Sequence, residues 1–432
     1  MRIGITVDYG SLAKATSLNL IAKKVFLEMG KIMNIEKTFT IAALKYEDIG
    51  IGDFNEHFDC VSIPNMGGYK FPREGSLSCN NLMIGLIGID EVILGEQVYR
   101  TKEDWKINKP IIEREVPKWE RFGDHVMTIH VASNSEKEQM IQYLRIPEEK
   151  IHVIPLGVDH DQFKPPPDKF KARKKILGKF FIRDSPYFIH LSETNFARKN
   201  ILRMLEAFKK ARGEGIKQKL IIVGKMEPQV YNAAESIDGV IILGFVSEEH
   251  LVELLQGADA LIFPSLHEGF GLPAVEAMSC GIPVITSNVF GLPEIVGDGG
   301  MYVNPYDTSD IADKIIEVSR NEKLRLILAD GALKTSRKYS WQTTASELLK
   351  LIRTTVKYEN NFDYDESLDL SAYRTLTTIC NITPGLREIS GQDLIQFDYS
   401  RIIPWAREVG LENPDVKDFL LPFKEWLMTH SN

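Results

Sequence analysis

Residues 260–287 read "ALIFPSLHEGFGLPAVEAMSCGIPVITS", and the interpretation of the chain turns on this stretch. A buried apolar strand ends at Pro264-Ser265, the loop "LHEGFG" follows, and Pro273 takes a favoured place at the start of a helix. The amides of Phe270, Gly271 and Leu272 therefore fall at a helix N-terminus, where unpaired donors and partial positive charge attract an anion. Gly269 and Gly271 permit positive φ and a close approach of backbone to ligand. Glu268 precedes the turn and Glu276 is expected in the first helical turn, so a carboxylate stands on each side of the anion site. A carboxylate accepts two hydrogen bonds at once, which suits Glu276 to the vicinal diol of a ribose and Glu268 to sugar hydroxyls. The helix dipole alone explains an acid at 276. It does not explain Glu268, two glycines and a proline together.

Outward from this loop the pattern is strand, turn, helix, repeated. "YFIHLS", "QKLIIVG", "GVIILGF", "ALIFPS" and "PVITS" are apolar runs separated by the helical patterns "NILRMLEAFKKA", "SEEHLVELLQGA" and "PAVEAMSCG". An earlier series has the same rhythm: "RIGITVD", an apolar-periodic helix from about Leu12 to Met29, then "KTFTIAAL", "DEVILGE", "DHVMTIHVAS" and "KIHVIPLGVD" as strands. Ser133 or Ser135 is a candidate cap for the helix "NSEKEQMIQYLRI". Strands alternating with helices imply parallel sheets covered on both faces. Three consecutive prolines in "KPPPDKFKARKKILG" (164–178) separate the two series as a linker, and the basic cluster after them reads as a solvated helix. The predicted division is an N-terminal domain 1–165, a second domain 166–345 and a helical extension 346–432.

Composition narrows the function. At 432 residues the chain exceeds one ordinary core. A formal charge of −8 gives no reason to expect a nucleic-acid partner. Cys60, Cys79, Cys280 and Cys380 are far apart and form no C-x-x-C pair, which argues for reduced thiols rather than a zinc site or a disulfide framework. No run is long enough to span a bilayer, and "MRIGITVDYG" lacks the apolar core of a signal peptide, so a cytoplasmic protein is expected. In "RTKEDWKINKPIIEREVPKWER" (100–121) Trp105 and Trp119 stand among Lys and Arg, as in an interfacial segment. The interspersed acids favour a solvated helix, leaving weak peripheral membrane contact as a secondary expectation.

The loop and its surroundings resemble the signature of the retaining family 4 glycosyltransferases of GT-B fold, with the E-x7-E pair at Glu268 and Glu276. "IHVIPLGVDHDQF" (151–163), "ARKN" (197–200), "GVIILGFVSEEHLVELLQGADALIFPS" (239–265), "GLPEIVGDGGMYVNP" (291–305) and "YSWQTTA" (339–345) follow in the family's order. The likeness is dense from about 123 to 350, weak before that and absent after about 360.

The resemblance implies an α/β protein of two facing Rossmann-like, doubly wound parallel-sheet domains, with a C-terminal helical tail crossing back to the first. The first domain would serve the acceptor and the second the nucleotide-sugar donor. It implies transfer of a hexose from a nucleotide-diphosphate sugar to a hydroxyl of a glycan, lipid or small molecule, with retention of anomeric configuration. Glu276 would then hold the ribose, and Glu268 with the Phe270–Leu272 amides the sugar and phosphates. Arg198 and Lys199 would neutralise the departing diphosphate, because charge building on a leaving group needs pre-placed positive charge. Gly10 and Ser11 of the first loop are carried over as donor contacts. No metal or other cofactor is expected. The only promising D-x-D pair, Asp363-Tyr364-Asp365, lies in a polar stretch outside both sheets.

The chain departs from the family in three places. Glu193 stands where an arginine is usual, six residues before Lys199. The first loop, "DYGSLAKATS", carries Gly10 alone where paired glycines are usual. The usual N-terminal-domain histidine is replaced near "DEVILGEQVYR", where Glu96 is the candidate contact to the reacting sugar. His125 and His130 read as packed rather than catalytic. Competing functions are a GT-B phosphorylase, a sugar-nucleotide epimerase, and a non-catalytic nucleotide-sugar-binding protein.

Overall fold

The computed structural model describes residues 2–6, 40–44, 60–67, 82–87, 89–99, 102–122, 128–192 and 197–355, with helical residues 21, 24, 25, 28, 29 and 32. The first domain carries β1 (Arg2–Thr6), β2 (Thr40–Leu44), β3 (Cys60–Gly67), β4 (Leu82–Ile87), β5 (Thr128–Val131) and β6 (Ile151–Val153). They form one sheet of order β2-β1-β3-β4-β5-β6, parallel throughout. The second carries β7 (Tyr187–Leu191), β8 (Lys219–Val223), β9 (Val240–Gly244), β10 (Ala260–Phe263), β11 (Val284–Ser287) and β12 (Gly300–Val303). Its order is β12-β11-β10-β7-β8-β9, again all parallel. Every residue of β7, β10 and β11 is buried, which is why "ALIF" is an unbroken apolar run and "YFIHL" is interrupted only by the buried His190, rather than alternating.

Among the described residues the helices of the first domain are α1 (Asp90–Leu94), α2 (Lys102–Phe122) and α3 (Asn134–Leu144). The linker leads into α4 (Lys169–Lys179). There follow α5 (Ile201–Gly213), α6 (Pro228–Glu235), α7 (Glu248–Gly257), α8 (Leu272–Ser279), α9 (Gly291–Val296), α10 (Thr308–Arg320), α11 (Glu322–Ser336) and α12 (Trp341–Thr355). Ser133, not Ser135, caps α3, its hydroxyl accepting from the Glu136 amide at 3.1 Å. Asp168 caps α4 just after the prolines, and Lys171, Lys174, Lys175 and Lys179 lie on its exposed side. Arg173 is the exception: it is buried and pairs with Asp259.

One segment differs from its expectation. "DEVILGE" is not a strand; it is the short helix α1 followed by a 3-10 turn, Gly95–Val98, and the neighbouring strand is the run Leu82–Ile87 just before it. Three apolar residues in a row carry no period, and acids at 90 and 91 favour a helical first turn.

Two apolar layers cover the second sheet. On one face Phe188, Leu220, Ile222 and Ile262 meet Ile201, Leu205 and Phe208 of α5 and Ile311 and Ile315 of α10. The layer on the other face runs on into the first domain through Leu156, Val158, Ala132 and the helical residues Ile21, Val25 and Met29. Trp119 of α2 is 1% exposed and belongs to the first domain's core with Ile129, Met140 and Ile151, so it is no interfacial anchor. Trp105 lies against Tyr99. No helix among the described residues is long and apolar enough to cross a membrane. Helix α12 carries the chain through residue 345 and back to the first sheet, where the Thr355 and Thr128 hydroxyls are 3.1 Å apart. The predicted extension beyond residue 355, with Asp363-Tyr364-Asp365, lies outside the described residues.

Candidate active site

In an open parallel sheet, loops diverge at the point where the strand order reverses, and ligands bind in the crevice this leaves at the carboxyl ends. In the second sheet that point lies between β7 and β10: the chain runs from β7 outward through β8 and β9, then returns to pair β10 with β7 on its other side. "ARKN" (197–200) follows β7 and "PSLHEGFG" (264–271) follows β10. Topology thus brings Arg198, Lys199 and Glu268 to one place.

Each backbone path has a visible cause. Asn200 takes φ +60°, a conformation that asparagine tolerates, and its side-chain amide donates to the Pro264 and Pro305 carbonyls at 3.0 and 2.7 Å. The Leu266 amide donates to the Arg198 carbonyl at 2.8 Å, stitching the two loops together. Gly271 at φ +84° turns the chain into α8, which begins at Leu272 with Pro273 second. Glu276 therefore opens the second helical turn rather than sitting in the first; it is half-buried.

The Glu268 carboxylate is the counter-ion of both cations. Its Oε1 lies 2.8 Å from Arg198 Nη1 and 2.7 Å from Lys199 Nζ. Arg198 also donates to the His267 carbonyl at 3.0 Å and approaches Asp90 of the first domain at 3.5 Å. The Lys199 ammonium sits 4.4 Å over the Phe263 ring. Glu268 is 8% exposed. Burial alone would raise its pKa, but the Arg198 and Lys199 charges overcome that and hold the carboxyl at about 2. The Ser265 hydroxyl, fully buried beside it, has no partner of regular hydrogen-bond geometry among the described residues. The amides of Phe270, Gly271 and Leu272 likewise make no hydrogen bond among the described residues. Unpaired buried amides are uncommon in folded proteins. The Phe270 side chain is structural, packed edge-on against Tyr339 at 5.3 Å.

Gly269 has a different reason from the one its sequence suggests. It is not among the positive-φ glycines, and a Cβ there would lie 1.7 Å from Oε1 of Glu136. Glu136 belongs to α3 of the first domain, is fully buried, and takes the Ala132 amide on its other oxygen at 2.8 Å. The space that glycine leaves is filled by a side chain from across the cleft. His267 Nε2 donates to Gln139 Oε1 of the same helix at 2.9 Å, and Glu294 of α9 accepts the Asn134 and Ser135 amides at 3.0 and 3.2 Å. Burial lowers the pKa of His267, so the ring is neutral. His190 of β7 is buried, donates from Nδ1 to the Ile262 carbonyl at 2.8 Å, and is held down to about 4 by burial.

Glu96 does not join this group. It is exposed on the Gly95–Val98 turn, and Asp90, six residues earlier, is the first-domain carboxylate that reaches Arg198. Gly10, Ser11, Glu193 and His125 lie outside the described residues. His130 is packed and neutral: it is buried in β5, and burial takes its pKa down to about 4. Asp90, Glu136, Gln139, His267 and Glu294 were not singled out by the sequence reading. Only Glu136 had a local signal, the Ser133-x-x-Glu136 capping-box spacing. Among the described residues no group of three His, Cys, Asp or Glu side chains is placed to hold a metal.

Residues 172–335, most of the second domain, match the family model "Glycosyl transferases group 1". The O-antigen chain mannosyltransferase B of Escherichia coli is 28% identical over 233 residues, covering 52% of this chain and 60% of that protein. The MMP alpha-(1->4)-mannosyltransferase of Mycolicibacterium hassiacum is 27% identical over 253 residues, covering 55% of this chain and 57% of that protein. The chain thus spans somewhat more than half the length of these two relatives. The Anabaena HepE protein, solved in complex with UDP-glucose, superposes with a TM-score of 0.60 at 15% identity, covering 82% of this chain and all of that one. At that identity the likeness concerns the fold alone, and the fold is GT-B.

Proposed function

We propose that this chain is a retaining glycosyltransferase that moves a hexose from a nucleotide-diphosphate sugar to an acceptor hydroxyl without a divalent metal. One observation carries the reading: two cations, Arg198 and Lys199, converge on one carboxylate oxygen beside a helix start whose Phe270, Gly271 and Leu272 amides have no partner among the described residues. That assembly is suited to a doubly charged leaving group. In the unliganded protein Glu268 occupies the cations. The diphosphate takes its place on Arg198, Lys199 and the Phe270–Leu272 amides, and the freed carboxylate turns to the sugar hydroxyls. Glu276 accepts from the ribose diol.

As the acceptor oxygen attacks the anomeric carbon, the glycosyl–phosphate bond breaks and its electron pair passes to the phosphate oxygen. That oxygen takes the acceptor's proton on the same face, so the configuration is kept and no enzymic base is needed. Charge builds on the phosphate in the transition state, where pre-placed cations and dipoles act most strongly. By this reasoning Lys199→Ala lowers turnover by roughly 10²-fold. The mannosyltransferase relatives make mannose the first sugar to test.

The test is a thermal-shift panel in EDTA comparing UDP-glucose, a nucleotide-activated mannose and the free nucleoside diphosphates. A raised Tm with one base, abolished by Glu276→Ala, is expected. No shift with any nucleotide, or a shift that needs magnesium, overturns the respective part of the proposal.

A further inference from the structure

We infer that the cleft holds a separate subsite for a neutral saccharide, which seats the acceptor glycan against α3; this inference rests on the transferase reading above. A cavity of about 400 Å³ opens between α3 of the first domain and the segment 290–294 of the second. Such a volume is in the range of small-ligand sites. Gln139 ties it to the donor loop: the side chain lines the cavity and accepts from His267, the residue next to Glu268. The ring of Phe290, also lining it, lies 4.6 Å from the His267 ring.

The lining chemistry selects the ligand class. Glu138, Gln142 and Tyr143 face the cavity, and among the described residues their side chains make no hydrogen bond. They offer a carboxylate, an amide and a phenol, the groups that pair with hydroxyls, together with two aromatic rings for the apolar face of a pyranose. Among the described residues no Lys, Arg or His lines it. The N-terminus of α3 is not open to an anion either. Glu294 Oε1 accepts from the Asn134 amide and side chain at 3.0 and 2.8 Å, and its Oε2 accepts from the Ser135 amide. A phosphorylated ligand would meet the carboxylates of Glu138 and Glu294, and no cation among the described lining residues offsets them.

Phe290 adds an independent sign. It holds φ 54° and ψ −138°, a conformation that is costly for any residue with a bulky side chain. Its ring belongs to none of the hydrophobic clusters among the described residues. Strain kept without core packing places an aromatic face at the mouth of the cavity.

Saturation-transfer NMR on the full chain, with methyl α-D-mannopyranoside and mannobiose as probes and mannose 6-phosphate as comparison, tests this. Signal transfer to the neutral sugars is expected, at least tenfold weaker binding in Gln142→Ala and Phe290→Gly, and weaker binding of the phosphate. Gln142 is exposed and Phe290→Gly relieves strain, so neither change threatens the fold. An absent wild-type signal, a signal equal in both variants, or preference for mannose 6-phosphate overturns the inference. The nucleotide thermal shift on the same samples reports on the donor reading: a nucleotide shift with no saccharide signal removes the subsite and leaves the transferase.

Discussion

Replacing Glu268 by glutamine keeps the side chain's shape and removes the negative charge that both Arg198 and Lys199 touch at hydrogen-bond distance. A carboxyl held at about 2 in the fold, against 4.5 when free, contributes about 3 kcal/mol at neutral pH. Breaking a buried ion pair costs about 3–5 kcal/mol, which agrees in size. For a domain of this length the loss corresponds to a fall in Tm of roughly 6–12 °C. Because the folded pKa is the depressed one, the contribution is complete above the free value of 4.5. It fades as pH falls toward 2, reaching about half near pH 3. The Tm gap between wild type and Glu268→Gln should therefore be full at pH 7 and close steadily in acid.

A second arm uses inorganic pyrophosphate as the probe. In the wild type it must displace Glu268 from the cations, and in the variant it need not, so its stabilising shift should be larger in the variant even though transfer is lost. Equal Tm values at pH 7, or a larger pyrophosphate shift in the wild type, would refute the claim that Glu268 is the resident counter-ion.

Three further outcomes follow from the same geometry. Gly269→Ala sets a methyl 1.7 Å from Glu136 Oε1, so the domains must separate or Glu136 must leave its cap; about 1–3 kcal/mol is lost, read as a lower Tm and a larger radius of gyration in solution scattering. Glu294→Ala uncaps α3 from across the cleft at a cost of about 1 kcal/mol, seen as faster amide exchange at Asn134 and Ser135. Arg173→Ala strips Asp259 of its buried partner and leaves the Gly257 carbonyl unpaired, costing about 3–5 kcal/mol; nucleotide shifts measured well below the lowered Tm should survive, since neither residue touches the loop after β10.

What could be read from the sequence and what could not divide along a physical line. Five of the second domain's six strands were legible as apolar runs, because a strand covered on both faces is largely apolar, as "YFIHL" is apart from His190. The convergence of "ARKN" and "LHEGFG" was legible because a doubly wound sheet sends the loops after its switch-point strands to one place. "DEVILGE" was misread as a strand because a three-residue apolar run carries no period, and Asp90, whose position depends on the short helix α1, had no mark in the pattern.

Gly269 shows the deeper limit. From sequence, a glycine before a helix start means room for a ligand; in the fold the room is taken by Glu136, 133 positions earlier, whose only local mark was a capping-box spacing. The same holds for Gln139 with His267 and for Glu294 with the start of α3: each pair joins two domains. Loop chemistry is local and can be read along the chain, whereas cleft closure is made of pairs that only the folded molecule brings together. Contacts between the domains and the ion cluster share neighbouring residues: Glu136 of the first domain fills the space beside Gly269, and Glu268 is held by the cations.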